Sequence, residues 1–156
     1  MLVNCITAAV NIAVGVSGVK AVQWEIEMEA TAIRQFEEQT GHEVSSTGLW
    51  LHSSGILGAS PDGFIQTYNA VLEVKCPYSA RNLTVAQTCK LKDFCLLHND
   101  TDGSFELREK HRYMDQVQEQ MYLTGRDTCF LVVYTTVEIA VVKVEKSQNW
   151  VKNNIL

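Results

Sequence analysis

Three charged side chains lie close together in the sequence and have the types that acid–base and metal chemistry use. Asp62 belongs to the turn at residues 60–63 (SPDG), and Glu73 and Lys75 stand two residues apart in the strand-like run that follows. Because a strand alternates its side chains between two faces, Glu73 and Lys75 share one face. Charges among apolar neighbours are costly unless they are paired, hydrogen-bonded or bound to a metal ion. The pair is therefore either a simple salt bridge or part of a site.

A fourth charged residue, Glu29, lies within a predicted helix at residues 22–39. The apolar stripe of that helix consists of Val22, Ile26, Ile33 and Phe36. A carboxylate inside such a stripe is disfavoured without compensation, so Glu29 either sits at the edge of a wider stripe or points under the sheet toward Asp62 and Glu73. In the second case the carboxylates would repel one another, and a divalent cation would relieve the repulsion. Oxygen ligands alone favour magnesium or manganese over zinc.

Lys75 would complete such a site. Beside a metal-bound water it would orient or deprotonate the nucleophile, and it would also offset charge on a pentavalent phosphate. A Pro-Asp turn followed by Glu-x-Lys arises often by chance, so the spacing alone identifies no activity. The predicted hairpin and the position of Glu29 strengthen the evidence that these residues form a site.

The composition indicates one globular domain. The chain has 156 residues, of which 46% are hydrophobic and 20% charged, enough for a single core. A net charge of −5 argues on its face against a nucleic-acid partner. However, residues 21–43 hold six glutamates and one arginine, whereas residues 75–92 hold four basic residues and no acid. An acidic helix beside a basic segment is compatible with a site that binds metal on one side and phosphate on the other.

The cysteines and the N-terminal segment bear on the compartment. The five cysteines lack CxxC or paired Cys/His spacing, which favours reduced thiols in an intracellular protein, nuclear or cytoplasmic, over zinc or disulfides. Residues 1–19 carry no charge, but they lack a basic start and polar residues interrupt them. We expect residues 1–21 to be an amphipathic helix or the remnant of a longer N-terminal region rather than a signal peptide or membrane anchor.

The remaining patterns predict helix, strands, helix and strands, in that order. The predicted elements are short strands at 49–52 and 56–57, a hairpin of 64–67 with 70–75, a short helix at 83–89, a second hairpin of 94–98 with 104–107, a helix at 112–124 ended by Gly125, and sheet strands at 129–135 and 139–144. This order indicates an α/β fold, with a mixed central β-sheet flanked by helices.

At this point the chain resembles the lambda exonuclease / YqaJ-type viral recombinase family of the PD-(D/E)XK nuclease superfamily. The resemblance is carried by residues 60–63 (SPDG), 72–78 (LEVKCPY) and 115–118 (DQVQ), and by W-x4-E-x2-A-x3-F-x4-G at residues 24–41. It implies a restriction-endonuclease-like core, with residues 22–156 forming the nuclease domain.

The resemblance also implies metal-assisted hydrolysis of DNA phosphodiester bonds, as a 5′-to-3′ exonuclease on double-stranded DNA in recombination or repair. Asp62 and Glu73 would be the principal metal ligands, with the Val74 carbonyl as a third contact. Glu29 would bind the ion directly or through water, and Lys75 would be the catalytic lysine. The cofactor would be Mg²⁺, with Mn²⁺ as the alternative, and no organic cofactor is expected.

Contacts to the DNA phosphate follow from the same resemblance. The residues expected to make them are Ser60, Gln116, Gln118 and Arg81. Without the resemblance, Gln116 would be interpreted as a solvated helix position. Family members also carry an arginine before a T-A-S segment that grips the terminal phosphate. Here Ile6-Thr7-Ala8 is followed by alanine, so either the N-terminus is truncated or the phosphate pocket is incomplete. The family's Trp-Gly is Trp24-Glu25 here, a change to which we assign little chemical consequence.

Two other interpretations stay open. One is a catalytically weak nucleic-acid-binding or protein-interaction module on the nuclease fold, and the other is an endonuclease or resolvase of the same superfamily. The partners implied are double-stranded DNA, further copies of the chain in a ring-shaped trimer, and a single-strand annealing protein. No membrane partner is expected.

Overall fold

A computed structural model of the protein describes the backbone of residues 15–155 and the side chains of residues 18–155. Most of the predicted N-terminal segment, including Ile6-Thr7-Ala8, lies outside these described residues. In chain order the elements are α1 (Gly15–Thr40), β1 (Trp50–Leu51), β2 (Gly58–Ala59), β3 (Gly63–Ile65), β4 (Ala70–Lys75), α2 (Val85–Thr88), β5 (Leu96–His98), β6 (Phe105–Leu107), α3 (Arg112–Thr124), β7 (Thr128–Tyr134), β8 (Ile139–Glu145) and α4 (Gln148–Asn154).

The central sheet is mixed, as the sequence predicts. Its strands lie in the order β3-β4-β7-β8, where β4 and β7 run parallel and the other two pairs are antiparallel. A parallel pair needs a crossover connection, which here runs through α2, the β5–β6 hairpin and α3. Each of the two predicted hairpins is present, and β1 pairs with β2 in a separate small sheet.

The β3–β4 hairpin places the first half of the charged motif. Its loop is a short 3-10 helix at Gln66–Tyr68, closed by Asn69 in the left-handed conformation with φ of 49°. Asparagine tolerates this conformation because its side chain is short and polar. Gly63 lets the chain pass close to Val44, since a Cβ on this residue would clash with the Val44 side chain. A larger residue at position 63 would thus displace the strand that follows Asp62.

The two faces of the sheet carry separate cores, and this decides where the charges point. The core under α1 contains Ala32, Phe36, Leu72, Val74 and Val132. The core under α3 contains Val71, Val117, Met121, Leu131 and Val133. Strand alternation therefore puts Glu73 and Lys75 on the α3 face, with Leu72 and Val74 on the α1 face. The predicted division of the strand between two faces is confirmed.

The predicted apolar stripe of α1 is wrong at its N-terminal end. Val22 is 43% exposed and Ile26 is 65% exposed. The packed face instead carries Trp24, Met28, Ala32 and Phe36. Both phases contain apolar residues at helical spacing, so periodicity alone did not distinguish them, and only the contact with the sheet does. At about 100° per residue, this correction turns Glu25 onto the packed side of the helix.

The end of α3 agrees with the sequence, because Gly125 adopts φ of 68° and its N–H caps the last turn. The terminal helix α4, which begins after the capping residue Ser147, was not predicted. Among the described cysteines, Cys76, Cys89, Cys95 and Cys129 are free thiols. Within the described residues, no helix has the length and apolar character that crossing a membrane requires.

Candidate active site

The open edge of β4 is where the charged side chains meet. Strand β3 pairs with β4 only as far as Leu72, so Val74 has no strand partner on that side. The Asp62 carboxylate takes the place of a strand there, because its Oδ2 accepts a hydrogen bond of 2.7 Å from the Val74 N–H. The Asp62 N–H in turn donates to the Leu72 carbonyl at 3.0 Å. Since the N–H and C=O of one strand residue point to the same edge, the Val74 carbonyl also lies on the Asp62 side.

Two glutamines of α3 hold the Glu73 carboxylate, which is only 3% exposed. Gln116 Nε2 donates to Glu73 Oε1 at 2.6 Å. Gln120 Nε2 donates to Glu73 Oε2 at 2.7 Å. The two glutamines are one helical turn apart and so share a face of α3. A buried carboxylate is thereby fixed at both oxygens.

Sequence reasoning missed Gln120. The signal that was present is its spacing from Gln116, because residues four apart on a helix are neighbours. Its Oε1 atom is buried and has no hydrogen-bond partner within the described part of the chain.

Lys75 makes a direct ion pair with Glu73, at 2.7 Å from Nζ to Oε1. Its ammonium also lies 4.5 Å from the centroid of the Tyr113 ring. Burial acts to lower the pKa of Lys75, but the charge of Glu73 and the hydrogen bond to it outweigh this effect and raise the pKa above its ordinary value. The amine therefore carries its proton at neutral pH in this arrangement.

Negative charge is concentrated around Asp62. Burial raises the pKa of Asp62 to about 8, and the charges of Glu73 and Glu29 add to the effect, while the Val74 N–H and Lys75 oppose it. Burial likewise raises the pKa of Glu29, with Glu73 and Glu25 as the next causes. The structure thus brings Glu29, Asp62, Glu73 and Lys75 into one electrostatic group.

Glu25 belongs to this group as well, although the sequence analysis assigned it no role. Burial raises the pKa of Glu25, whereas the charge of Lys75 lowers it, that of Glu73 raises it and the backbone N–H of Cys76 lowers it. The signal that was present is its spacing of one turn from Glu29, on the packed side of α1.

The predicted phosphate contacts are placed differently from one another. Ser60 is exposed, two residues before Asp62. Gln116 contacts Glu73 and is half-buried. The Arg81 guanidinium lies 4.0 Å from the centroid of the Tyr78 ring and donates to the Tyr78 carbonyl at 2.7 Å.

The prediction for Gln118 is corrected by its contacts. It is 2% exposed and lies on another side of α3. Its Nε2 donates to the Glu145 carbonyl at 2.9 Å, and its Oε1 accepts from the Ser147 N–H at 2.8 Å. The amide is committed to the end of β8 and the start of α4, so Gln118 is a structural residue rather than a phosphate contact.

The fit of a metal ion rests on the chemistry of the donors. As they stand in the described chain, no three His, Cys, Asp or Glu side chains converge closely enough to hold an ion, and the Glu73 oxygens contact Lys75 and the two glutamines. Burial and then the charge of Glu73 raise the pKa values of Asp62 and Glu29, and a bound cation would oppose both effects. Carboxylate and carbonyl oxygens are the ligands of hard divalent cations. The donors therefore fit magnesium or manganese, provided that Glu73 exchanges its contact with Lys75 for the ion.

Known proteins share both the sequence pattern and the fold. The family model of the YqaJ-like viral recombinase domain matches residues 4–127. An alkaline nuclease of Autographa californica nuclear polyhedrosis virus is 27% identical over 121 residues, which make up 69% of this chain and 29% of the viral protein.

Solved structures give the same picture. An alkaline exonuclease from Laribacter hongkongensis matches with a TM-score of 0.65 and 25% identity, over 90% of this chain and 64% of the bacterial one. A phage-related exonuclease from Haemophilus somnus shares the fold, with a TM-score of 0.62 and 14% identity over 92% of this chain and 68% of that one. The chain thus spans less than two thirds of the viral nuclease and of the Laribacter enzyme.

Proposed function

Since the chain belongs to the YqaJ-like viral recombinase domain family, we propose that it is a magnesium-dependent deoxyribonuclease that hydrolyses the phosphodiester bonds of double-stranded DNA. The observation that carries the proposal is the group of Glu29, Asp62, Glu73 and Lys75 at the open edge of β4. A fold that used Glu73 and Lys75 only as a salt bridge would have no need of two further half-buried carboxylates beside them, because each one adds repulsion.

The described residues would have different roles in hydrolysis. Asp62, Glu73, the Val74 carbonyl and Glu29 would hold the magnesium ion, for which manganese could substitute. When bound, the ion would supply Lewis-acid polarisation of the phosphate and a nucleophilic water of lowered pKa. Lys75 would orient or deprotonate the attacking water and offset charge on the phosphoryl oxygens.

The glutamines and the SPDG turn add orientation. Gln116 and Gln120 fix the Glu73 carboxylate, which limits its rotation at the metal. A glutamine amide nitrogen has two hydrogens, so Gln116 can donate one to Glu73 and the other to a DNA phosphate. The exposed Ser60 hydroxyl supports a second phosphate contact beside Asp62, and Arg81 would join them by leaving the Tyr78 carbonyl.

The biological setting is proposed on the family relationship. We expect 5′-to-3′ degradation from a duplex end, in DNA recombination or repair inside the cell. We also expect the chain to form a ring-shaped homotrimer and to act with a single-strand annealing protein.

The test is digestion of linear and closed circular double-stranded DNA with magnesium, with EDTA, and by the Lys75→Ala variant. We expect magnesium-dependent loss of the linear form only, with no digestion by Lys75→Ala. The matched control is Lys143→Ala, which removes an exposed lysine that pairs with Glu145 on β8, and it should digest DNA normally. Cleavage of closed circles would favour an endonuclease. Folded protein that binds DNA and digests neither form would contradict the enzyme and favour a binding module.

A further inference from the structure

Glu25 is the carboxylate of the active-site group that the proposed mechanism does not use. It lies on α1 one turn before Glu29 and is half-buried, on the side of the helix that carries Trp24 and Met28. A carboxylate that folding only tolerated would sit on the solvent side of this helix, where Glu27 is exposed and hydrogen-bonds to Gln23 at 2.8 Å. The position of Glu25 therefore calls for a chemical reason.

Glu25 lies beside the C-terminal end of β4, because its neighbour Trp24 packs edge-on against Tyr78, three residues after Lys75, with ring centroids 6.2 Å apart. Burial raises the pKa of Glu25, the charge of Lys75 lowers it and that of Glu73 raises it, while the N–H of Cys76 and the guanidinium of Arg112 lower it. No direct ion pair joins Glu25 to Lys75 among the described residues, because the Lys75 ammonium contacts Glu73 instead. Lys75 thus has one carboxylate in contact and a second one facing it at longer range.

Binding of a cation would change which carboxylate is available to Lys75. The Glu73 oxygen that now contacts Lys75 would face the ion, and the ion would repel the ammonium. Asp62 and Glu29, as proposed ligands, would be committed to the same ion. A buried ammonium without a partner is costly, and of the four carboxylates in the group only Glu25 is left.

We propose, on the basis of the proposed function, that Glu25 is a positioning residue that receives the Lys75 ammonium when Glu73 engages the metal ion. Glu25 then holds Lys75 beside the reacting phosphate, while Tyr113 limits its movement on the other side. The role is distinct from metal ligation, because Glu25 acts on the lysine and not on the ion.

The experiment compares Glu25→Gln with wild-type protein, using the full chain. Glutamine has the same shape and lacks the charge, and the control Glu27→Gln makes the same change on the exposed side of the same helix. Three quantities are measured: kcat and KM on a 5′-phosphorylated DNA duplex with magnesium, and the affinity of the DNA-free protein for manganese by calorimetry. Asp62→Asn serves as the reference for loss of a metal ligand.

We expect Glu25→Gln to lower kcat by about 10- to 100-fold, the range for partners that orient active-site groups. KM should stay within about twofold of wild type. Manganese affinity should fall, because Lys75 loses its partner in the metal-bound protein, but by less than the loss of about 10-fold or more expected for Asp62→Asn. Glu25→Asp, which keeps the charge, should retain more activity than Glu25→Gln. Glu27→Gln should match wild type.

Three results would overturn the proposal. Manganese binding that Glu25→Gln weakens as much as Asp62→Asn does would make Glu25 a ligand. An unchanged kcat would deny it any role, and equal losses in Glu25→Asp and Glu25→Gln would deny a role for its charge. Melting curves followed by circular dichroism distinguish these outcomes from unfolding. If Glu25→Gln does not fold, the folded Glu25→Asp variant decides. Wild-type manganese affinity with reduced kcat in that variant supports positioning, and wild-type kcat refutes it. An inactive wild-type protein would refute the proposed function itself, and this inference would fall with it.

Discussion

Replacing Gln120 with methionine is expected to reduce DNA hydrolysis much more than it reduces stability. Methionine fills a similar volume and removes both polar atoms of the amide. The lost hydrogen bond to Glu73, 2.7 Å long, joins a neutral donor to a charged acceptor, and such bonds contribute about 1.5–3 kcal/mol. The same substitution removes the buried, unpartnered Oε1 of Gln120, and a group of that kind costs about 1–3 kcal/mol. The two effects oppose each other, but the buried Oε2 of Glu73 is left without its donor, so we expect a net loss of unfolding free energy of about 1–3 kcal/mol.

The effect on catalysis has no such compensation. Without Gln120, one oxygen of Glu73 loses its only described donor, and the carboxylate is free to rotate about the contact with Gln116. A partner that orients a metal ligand is worth about 10- to 100-fold in activity. We therefore expect kcat for duplex DNA to fall by that factor, with a higher magnesium requirement.

Gln118→Met is the matched control, because it changes the same residue type on the same helix, two positions away and out of reach of the site. It removes hydrogen bonds to Glu145 and Ser147 and should cost about 1–3 kcal/mol of stability with kcat unchanged in the folded protein. Urea unfolding and nuclease rates are measured for each variant. Full activity in Gln120→Met, or a loss of kcat in folded Gln118→Met, would refute the assignment of these two side chains.

Three further predictions concern pH, packing and thiol reactivity. The pKa of Asp62 in the folded protein is raised to about 8, above its value in the unfolded chain, so between these two values the metal-free folded protein binds a proton that the unfolded chain does not. Its stability should therefore fall as pH rises from about 4 to about 8. Thermal melting without metal should show this slope, and Asp62→Asn or added magnesium should flatten it. Gly63→Ala should destabilise the fold by about 1–3 kcal/mol through the clash with Val44, measured by urea unfolding, and an unchanged midpoint would contradict the close approach. Burial raises the pKa of Cys76 to about 12, so a thiol reagent followed by mass spectrometry should label half-buried Cys89 before Cys76, which should react only on unfolding. Rapid native labelling of Cys76 would count against the packing under α1.

The elements that the sequence predicted well are those with local signals. The β3–β4 hairpin needs a residue that accepts the left-handed conformation, and Asn69 supplies it. Helix α3 ends where Gly125 adopts φ of 68°, which most residues avoid. The pair Glu73 and Lys75 shares a face for the equally local reason of strand alternation. In each case neighbouring residues carry the whole signal.

Local sequence does not determine which side of α1 packs against the sheet. Because the predicted packed side was wrong, Glu25 was assigned no role. Val22 and Ile26 belong to an apolar stripe as regular as the one that begins at Trp24. The local sequence pattern does not show which of the two stripes packs against the sheet. The chain resolves the ambiguity by tertiary packing, since Trp24 also packs edge-on to Tyr78 with ring centroids 6.2 Å apart.

The proposed site depends on contacts between several elements, none of which predicts it alone. Glu25 and Glu29 come from the helix on one face of the sheet, whereas Glu73, Lys75 and their glutamine partners lie on the other. Side chains on opposite faces are normally kept apart by the sheet, and they interact here because β3 ends its pairing at Leu72 and leaves the last residues of β4 without a neighbour on that edge. Asp62 can occupy that edge only because the turn before β3 returns it to Val74. The length of β3 relative to β4 thus allows the five charged residues of the proposed site to approach one another, and an additional residue of pairing at this edge would separate them.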